Sequence, residues 1–192
     1  MRNPFIVGER VYLRAITEED LPNYFSWLDD RETTRWMQRG IYPNTMDDMR
    51  AYLASMQQGG NMLLAIVRKA EYVEGILKNP LRYEKHIGNI SLSNLHPTFR
   101  TAEISIIIGE EYSRGNGYGT EAIRLLVDHG FRKMNLNRIE AGMVKENIGS
   151  YKAFKKAGFI DEGIARGMYY CDGEYRDVYR LAILKDDWRK ER

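Results

Sequence analysis

Three things are scarce in this 192-residue chain, and each scarcity removes a class of function. Cys171 is the only cysteine, so no intramolecular disulfide framework and no multi-cysteine metal cage can form within one chain. Charge of one sign is not in excess: 29 basic and 27 acidic side chains leave a formal net charge of +2, and nothing global draws the chain to nucleic acid or membrane. Long apolar runs are missing too. No stretch approaches the roughly 20 apolar residues that span a bilayer, and Met1-Arg2-Asn3-Pro4-Phe5 does not read as a signal peptide. His86, His96 and His129 share no metal-ligand spacing with one another or with acidic pairs, so no catalytic metal is expected. The expectation is a cytoplasmic protein that binds neither nucleic acid nor membrane and builds any anion site locally.

What is present suffices for one sizeable core. An apolar content of 43% over 192 residues fits a single domain spanning 1–192. Residues 11–15 read as a first strand. Leu21, Tyr24, Phe25 and Leu28 recur at helical spacing behind Thr17 and the acidic Glu18, Glu19 and Asp20, a cap and first turn. Asn44 or Thr45 caps a second helix with Met46, Met49, Leu53 and Met56 on one face, ended by Gly59-Gly60. Residues 62–67 are rich in strand formers. Residues 68–85 contain Pro80 and have no period, which reads as a loop or insertion. Residues 86–95 and 102–109 form a hairpin turning near Pro97. Then the period changes: Ala122, Ile123, Leu126, Val127 and Phe131 mark a helix, 138–144 a strand, and 150–157 a short helix closed by Gly158. Strands at 164–170 and 175–184 flank the turn Asp172-Gly173. This order implies an α/β mixed sheet of about seven strands with about four helices on its two faces.

Between a strand and a helix lies Arg114-Gly115-Asn116-Gly117-Tyr118-Gly119-Thr120. Glycines let backbone amides turn toward one point, and the unpaired amides of the following helix add the positive end of its dipole, so a pyrophosphate can bind with few cationic side chains. A nucleotide triphosphate loop is excluded because its Gly-Lys-Ser/Thr is absent. A dinucleotide fold is disfavoured because the turn follows a late strand rather than opening a βαβ unit.

One strand later comes Glu146-Asn147-Ile148-Gly149-Ser150, leading to Gly158-Phe159. Arg-x-x-Gly-x-Gly after a strand, then Asn-x-x-Ser and Gly-Phe at this spacing, resembles the two central motifs of the GNAT N-acetyltransferases. Gly8-Glu9-Arg10-Val11-Tyr12-Leu13-Arg14, Asp20, Ala102-Glu103-Ile104 and Asp172-Gly173-Glu174-Tyr175-Arg176-Asp177-Val178 extend the resemblance to the branch of ribosomal-protein N-terminal and sugar-amine acetyltransferases. It covers nearly the whole chain apart from 68–85.

The resemblance implies a GNAT fold, a mostly antiparallel sheet whose fourth and fifth strands, here 103–109 and 138–144, splay to admit pantetheine. It places the pantetheine amides on the backbone of Ile106, Ile107 and Ile108, and the pyrophosphate on the amides of Arg114, Gly115, Asn116, Gly117, Tyr118, Gly119 and Thr120. Asn147 matches the cofactor-contacting asparagine, and Lys155 approaches the phosphates from the next helix. Acetyl-CoA is the co-substrate and an amine the acceptor, in a monomer or homodimer. The favoured acceptor is a nucleotide-linked amino sugar, the alternative a ribosomal-protein N-terminus. A catalytically inactive acyl-CoA sensor is the reading from another class.

An alkylammonium acceptor has a pKa near 10, so only about one molecule in a thousand is a free amine at neutral pH, a handicap of about 4 kcal/mol. A base is needed. Glu103 opens the strand that carries the thioester and is the candidate base; as the bland alternative it is a solvent-facing carboxylate. The tyrosine many GNAT enzymes use as proton donor is replaced by Phe154, which leaves Ser150, as donor or helix cap, and Tyr169. Trp27, Trp36 and Tyr42 stand where the fold builds one acceptor wall, as stacking surfaces or as packing. Cys171 has no histidine partner in sequence, and transfer by direct attack needs no acetyl-enzyme.

Overall fold

The computed structural model describes residues 3–37, 43–56, 60–70, 84–171 and 173–190; Tyr42, Gly59, Asp172 and most of segment 68–85 lie outside them. Among the described residues a single sheet holds eight strands: β1 (Ile6–Val7), β2 (Val11–Ala15), β3 (Met62–Arg68), β4 (Lys85–His96), β5 (Thr101–Ile108), β6 (Arg138–Val144), β7 (Ile160–Cys171) and β8 (Glu174–Leu184). Their order is β1-β2-β3-β4-β5-β6-β8-β7. Every neighbouring pair is antiparallel except β5 and β6. Six α-helices accompany the sheet: α1 (Leu21–Asp29), α2 (Arg31–Thr34), α3 (Met46–Met56), α4 (Tyr118–Arg132), α5 (Ile148–Lys156) and α6 (Lys185–Lys190).

Sequence periodicity missed β1, α2 and α6, because two, four and six residues are too short for a period to show. The splayed strands are therefore the fifth and sixth in this chain. Their ladder holds only Thr101 to Arg138, Ala102 to Ile139 and Glu103 to Glu140. Beyond it β5 stays paired with β4 as far as Ile108, and β6 with β8 as far as Val144. The two strands thus part, leaving the edge of β5 without a strand partner on that side.

Alternation along β5 divides its side chains between the two sheet faces. Ala102, Ile104, Ile106 and Ile108 join the core beneath α4 and α5, while Ile107 joins the cluster of α1 and α3 around Leu21, Tyr24, Trp27, Leu28 and Met49. Helix α4 is the main buttress. Its Ile123, Leu126, Val127 and Phe131 are essentially fully buried, each contributing about 1.5–3 kcal/mol of transfer free energy.

Under α1 sits a buried polar group. Asp20 accepts both guanidinium nitrogens of Arg14, at 2.6 and 2.7 Å, and the amide of Thr17 at 2.8 Å. Burial alone would raise the Asp20 carboxyl; the Arg14 and Thr17 hydrogen bonds outweigh it and hold it below the usual carboxylate range. His86 packs edge-on against Trp27, its Nε2 2.8 Å from Asn89 Oδ1 and its Nδ1 3.3 Å from Asp20 Oδ1 without hydrogen-bond alignment. Burial pushes the imidazole below its ordinary range, so it is held neutral.

Because the folded pKa of His86 is depressed, the unfolded chain takes up this proton first, and the contribution to stability is lost as pH falls through the unfolded value of about 6.5. His129, also lowered by burial, acts with the same sign. The melting temperature should fall from pH 7 to pH 5, and His86→Gln should flatten that slope. An unchanged slope in the folded variant would show that His86 carries none of it.

Candidate acetyl-CoA cleft and acceptor wall

The parting of β5 from β6 opens a cleft of about 500 Å³. Its floor is Ile106, Ile107 and Ile108; one wall is the turn Ser113-Arg114-Gly115 with Gly117, Gly119 and Thr120, and the opposite wall is Asn147, Gly149, Ser150, Lys152, Ala153 and Lys156. Glu32, Thr33, Trp36 and Met37 also line it, from α2 and the residues after it, with the Arg35 guanidinium 3.8 Å from Glu32 and 4.7 Å from the Trp36 ring centroid.

The turn has the conformation that its glycines permit. Gly115 and Gly117 have φ of 76° and 83°, left-handed values that a β-branched residue adopts at a cost, and Gly117 is the N-cap of α4. The amide of Glu121 is the first of the helix to find its carbonyl, on Gly117, so the amides of Tyr118, Gly119 and Thr120 have no partner within the helix. The turn is anchored from the chain's start. Arg10 donates to the Asn116 carbonyl at 2.9 Å, pairs with Glu121 at 3.2 Å and covers the Tyr118 ring, while Glu121 accepts the Arg10 amide at 2.8 Å. A Cβ on Gly8 would lie 2.5 Å from that Glu121 carboxylate, which accounts for glycine there.

On the facing helix Asn147 is the N-cap, its Oδ1 accepting the Ser150 amide at 3.1 Å. The capping role therefore falls to Asn147, and Ser150 is placed on the cleft wall. The helix ends in a Schellman motif: Phe159 N donates to Phe154 O at 3.1 Å and Gly158 N to Lys155 O at 3.1 Å, with Gly158 at φ 99°. Phe154 and Phe159 then pack edge to face at 5.0 Å inside the core.

Several sequence-derived site residues are placed elsewhere. Lys155 does not line the cleft; its ammonium pairs with Asp161 at 2.7 Å. Lys152 and Lys156, one helical turn apart, line the cleft instead, and that i, i+4 spacing was the available signal. Asn116 is exposed and folds back on its own turn, its amide donating to Tyr112 O at 2.9 Å and Arg114 O at 3.1 Å, and Tyr118 is core. Glu103 lies in the last β5–β6 pair, at the closed end of the split, accepting from Asn94 Nδ2 at 3.0 Å, and is not a lining residue. Tyr169 pairs with Arg176 in the β7–β8 hairpin, off the cleft, and Cys171 is buried at the end of that strand. Trp27 packs in the α1 cluster, where a Cβ on Gly109 would overlap it, whereas Trp36 reaches the cleft. Sequence reasoning did not single out Glu32, Thr33 and Met37, because a four-residue helix and the turn after it have no readable pattern.

Comparison with known proteins gives this geometry its context. The profile of the acetyltransferase (GNAT) domain family matches residues 10–160. The chain belongs to the GNAT acetyltransferase family. It is accordingly an acetyl-CoA-dependent N-acetyltransferase. The Bacillus subtilis "Probable N-acetyltransferase YjcK" is 40% identical over 105 residues, 54% of this chain and only 58% of that protein. The "Uncharacterized N-acetyltransferase YnaD" of the same organism is 28% identical over 183 residues, 95% of this chain and 98% of its own. In fold, the GNAT chain superposes on a Vibrio cholerae spermidine N-acetyltransferase solved with CoA and spermine, with TM-score 0.79 and 21% identity, covering 95% of this chain and 99% of that one.

In this acetyltransferase Gly117→Val should abolish measurable acetyl-CoA binding, since the new Cβ meets Arg10 Nη2 at 3.1 Å and the backbone must leave its positive φ. Lys152→Ala and Lys156→Ala should each weaken it about tenfold, and Lys155→Ala hardly at all. Calorimetry on folded variants decides; unchanged affinity in Gly117→Val would remove the turn from the site.

Proposed function

We propose that this enzyme transfers acetyl from acetyl-CoA to a primary amine of a small cationic acceptor by direct attack in a ternary complex. The observation that carries the reading is the polarity of one continuous cleft. Helix-terminal amides line one part of it with Lys152 and Lys156; α2 and the residues after it bring Glu32, the one carboxylate among its lining residues, and the indole of Trp36, which between them hold a cation, the Arg35 guanidinium, 3.8 Å from the carboxylate and 4.7 Å from the ring centroid. Pyrophosphate belongs with the amides and lysines, and an acceptor ammonium would take the place that Arg35 holds on Glu32 and Trp36. A nucleotide-linked amino sugar, the acceptor expected from the sequence resemblance, would bring its own diphosphate toward Glu32. The polyamine bound in the Vibrio structure is a property of that protein, and it supports a cationic acceptor here. A cytoplasmic setting, with its acetyl-CoA, is part of the same reading.

Pantetheine lies along the open edge of β5 in this mechanism, with backbone groups at Ile106, Ile107 and Ile108 fixing it and an amide of that edge facing the thioester oxygen. The amine nitrogen attacks the carbonyl carbon, the oxyanion is held by that amide, and the C–S bond breaks as the carbonyl re-forms. The attacking nitrogen gives up a proton and the departing thiolate takes one. Ser150, on the wall, is the proposed donor. Glu103 shares the sheet face of Ile107, the α1 side, and from the closed end of the split it serves as base through water. Tyr169 on its hairpin is the reserve donor.

Thiol release from acetyl-CoA should be fastest with a polyamine such as spermidine, slower with a nucleotide-linked amino sugar and with amino-terminal peptides. Preference for the sugar would overturn the cationic acceptor; release with none of them would favour a sensor. Glu103→Gln should lower kcat about 10²-fold at neutral pH, with the deficit shrinking toward pH 9.5 as free amine accumulates. Equal rates from pH 6 to 9.5 would remove Glu103 from the mechanism.

A further inference from the structure

The side chain of Arg114 does something that phosphate binding does not require. Although its residue belongs to the phosphate turn, its guanidinium turns away along the cleft floor and joins three parts of the site. Nε donates to the Ile108 carbonyl at 3.0 Å; Nη2 donates to the Gly109 carbonyl at 3.2 Å and to Thr33 Oγ1 at 2.6 Å. The Thr33 hydroxyl in turn donates to the carboxylate of Asp30, the N-cap of α2, which also accepts the Thr33 amide at 2.8 Å. One chain of charge-assisted hydrogen bonds thus runs from the end of the split strand through Arg114 and Thr33 to the cap of α2.

Helix α2 needs such support. It has four residues, too few for stable helix formation alone, and none of them is buried. Its own Glu32, with Trp36 just beyond it, nevertheless lines the cleft, where the proposed acceptor site is built. The Asp30 carboxylate is held below its ordinary range first by the Thr33 hydrogen bonds and, more weakly, by the charge of Arg114, so every member of the chain faces a complementary partner.

We propose that Arg114 is a positioning residue that couples the cofactor turn to the acceptor wall, so that filling the turn orders α2 and completes the amine site. The mechanism is a coupling free energy between two sites, and by linkage acceptor binding tightens the hold on cofactor equally. The inference rests on the cofactor reading of the turn but not on the identity of the acceptor.

The test is amide hydrogen exchange of the full chain with and without CoA, which needs no acceptor. In the wild type, CoA should slow exchange at residues 113–120 and, through the tether, at 31–37 by about fivefold or more. Arg114→Lys keeps the charge but loses the planar fork, and Thr33→Val removes the bridging hydroxyl at nearly constant shape. In either variant protection at 113–120 should persist while the response at 31–37 disappears, and the double variant should behave like each single one. Full protection of 31–37 in both variants would overturn the tether and assign that protection to direct ligand contact. If CoA protects neither segment in the wild type, the cofactor reading itself falls and the coupling with it.

Discussion

The site depends on the point at which two parallel strands stop sharing hydrogen bonds. Three residue pairs hold β5 to β6, and then each strand follows its other neighbour. A sheet interrupted in its middle leaves polar backbone facing a gap, and such groups need partners. Arg114 supplies one for the Ile108 carbonyl, and an extended ligand rich in amides is suited to supply the others. The closed end is reinforced where it is most needed. Glu103 and Glu140 face each other across the last pair, and Arg138 and Arg180 both bind Glu140, with Arg138 also gripping Glu162. Like charges side by side in a sheet repel, so this compensation keeps the split from running further.

Around that gap the chain arranges charge locally, as its near-neutral balance requires. Unpaired amides at the start of α4 and two lysines on α5 are suited to an anion, while at the α2 end Glu32 and Trp36 hold the Arg35 guanidinium. Each end is anchored by contacts between residues far apart in sequence. Arg10 and Glu121 fasten the turn to the beginning of the sheet, and Arg114 fastens α2 to β5. On the α1 side the buried Arg14–Asp20 pair, with neutral His86 packed on Trp27, fixes the helix that leads into α2. Breaking either member of such a pair leaves an uncompensated charge, which makes this support rigid.

The two motifs were legible in the sequence because they are local. Positive φ at Gly115, Gly117 and Gly158 is a property of one residue and its immediate neighbours, and Asn147 caps a helix beginning beside it. Strand alternation and the 3.6-residue period likewise gave most of the sheet and the helices α1, α3, α4 and α5. By itself, then, the sequence determined most of the elements, the glycine turn and membership in the acetyltransferase fold. Only tertiary structure decided which side chains use them. Lys155 differs from Lys156 by one residue and about 100° of rotation, yet one meets Asp161 and the other the cleft, because α5 packs with a particular face on the sheet. Whether Arg114 holds phosphate or a distant threonine, and whether Glu103 stands in the cleft or behind it, follows from contacts between segments up to 81 residues apart. No local pattern encodes such distances; they are set when α2, β5 and the turn pack against one another.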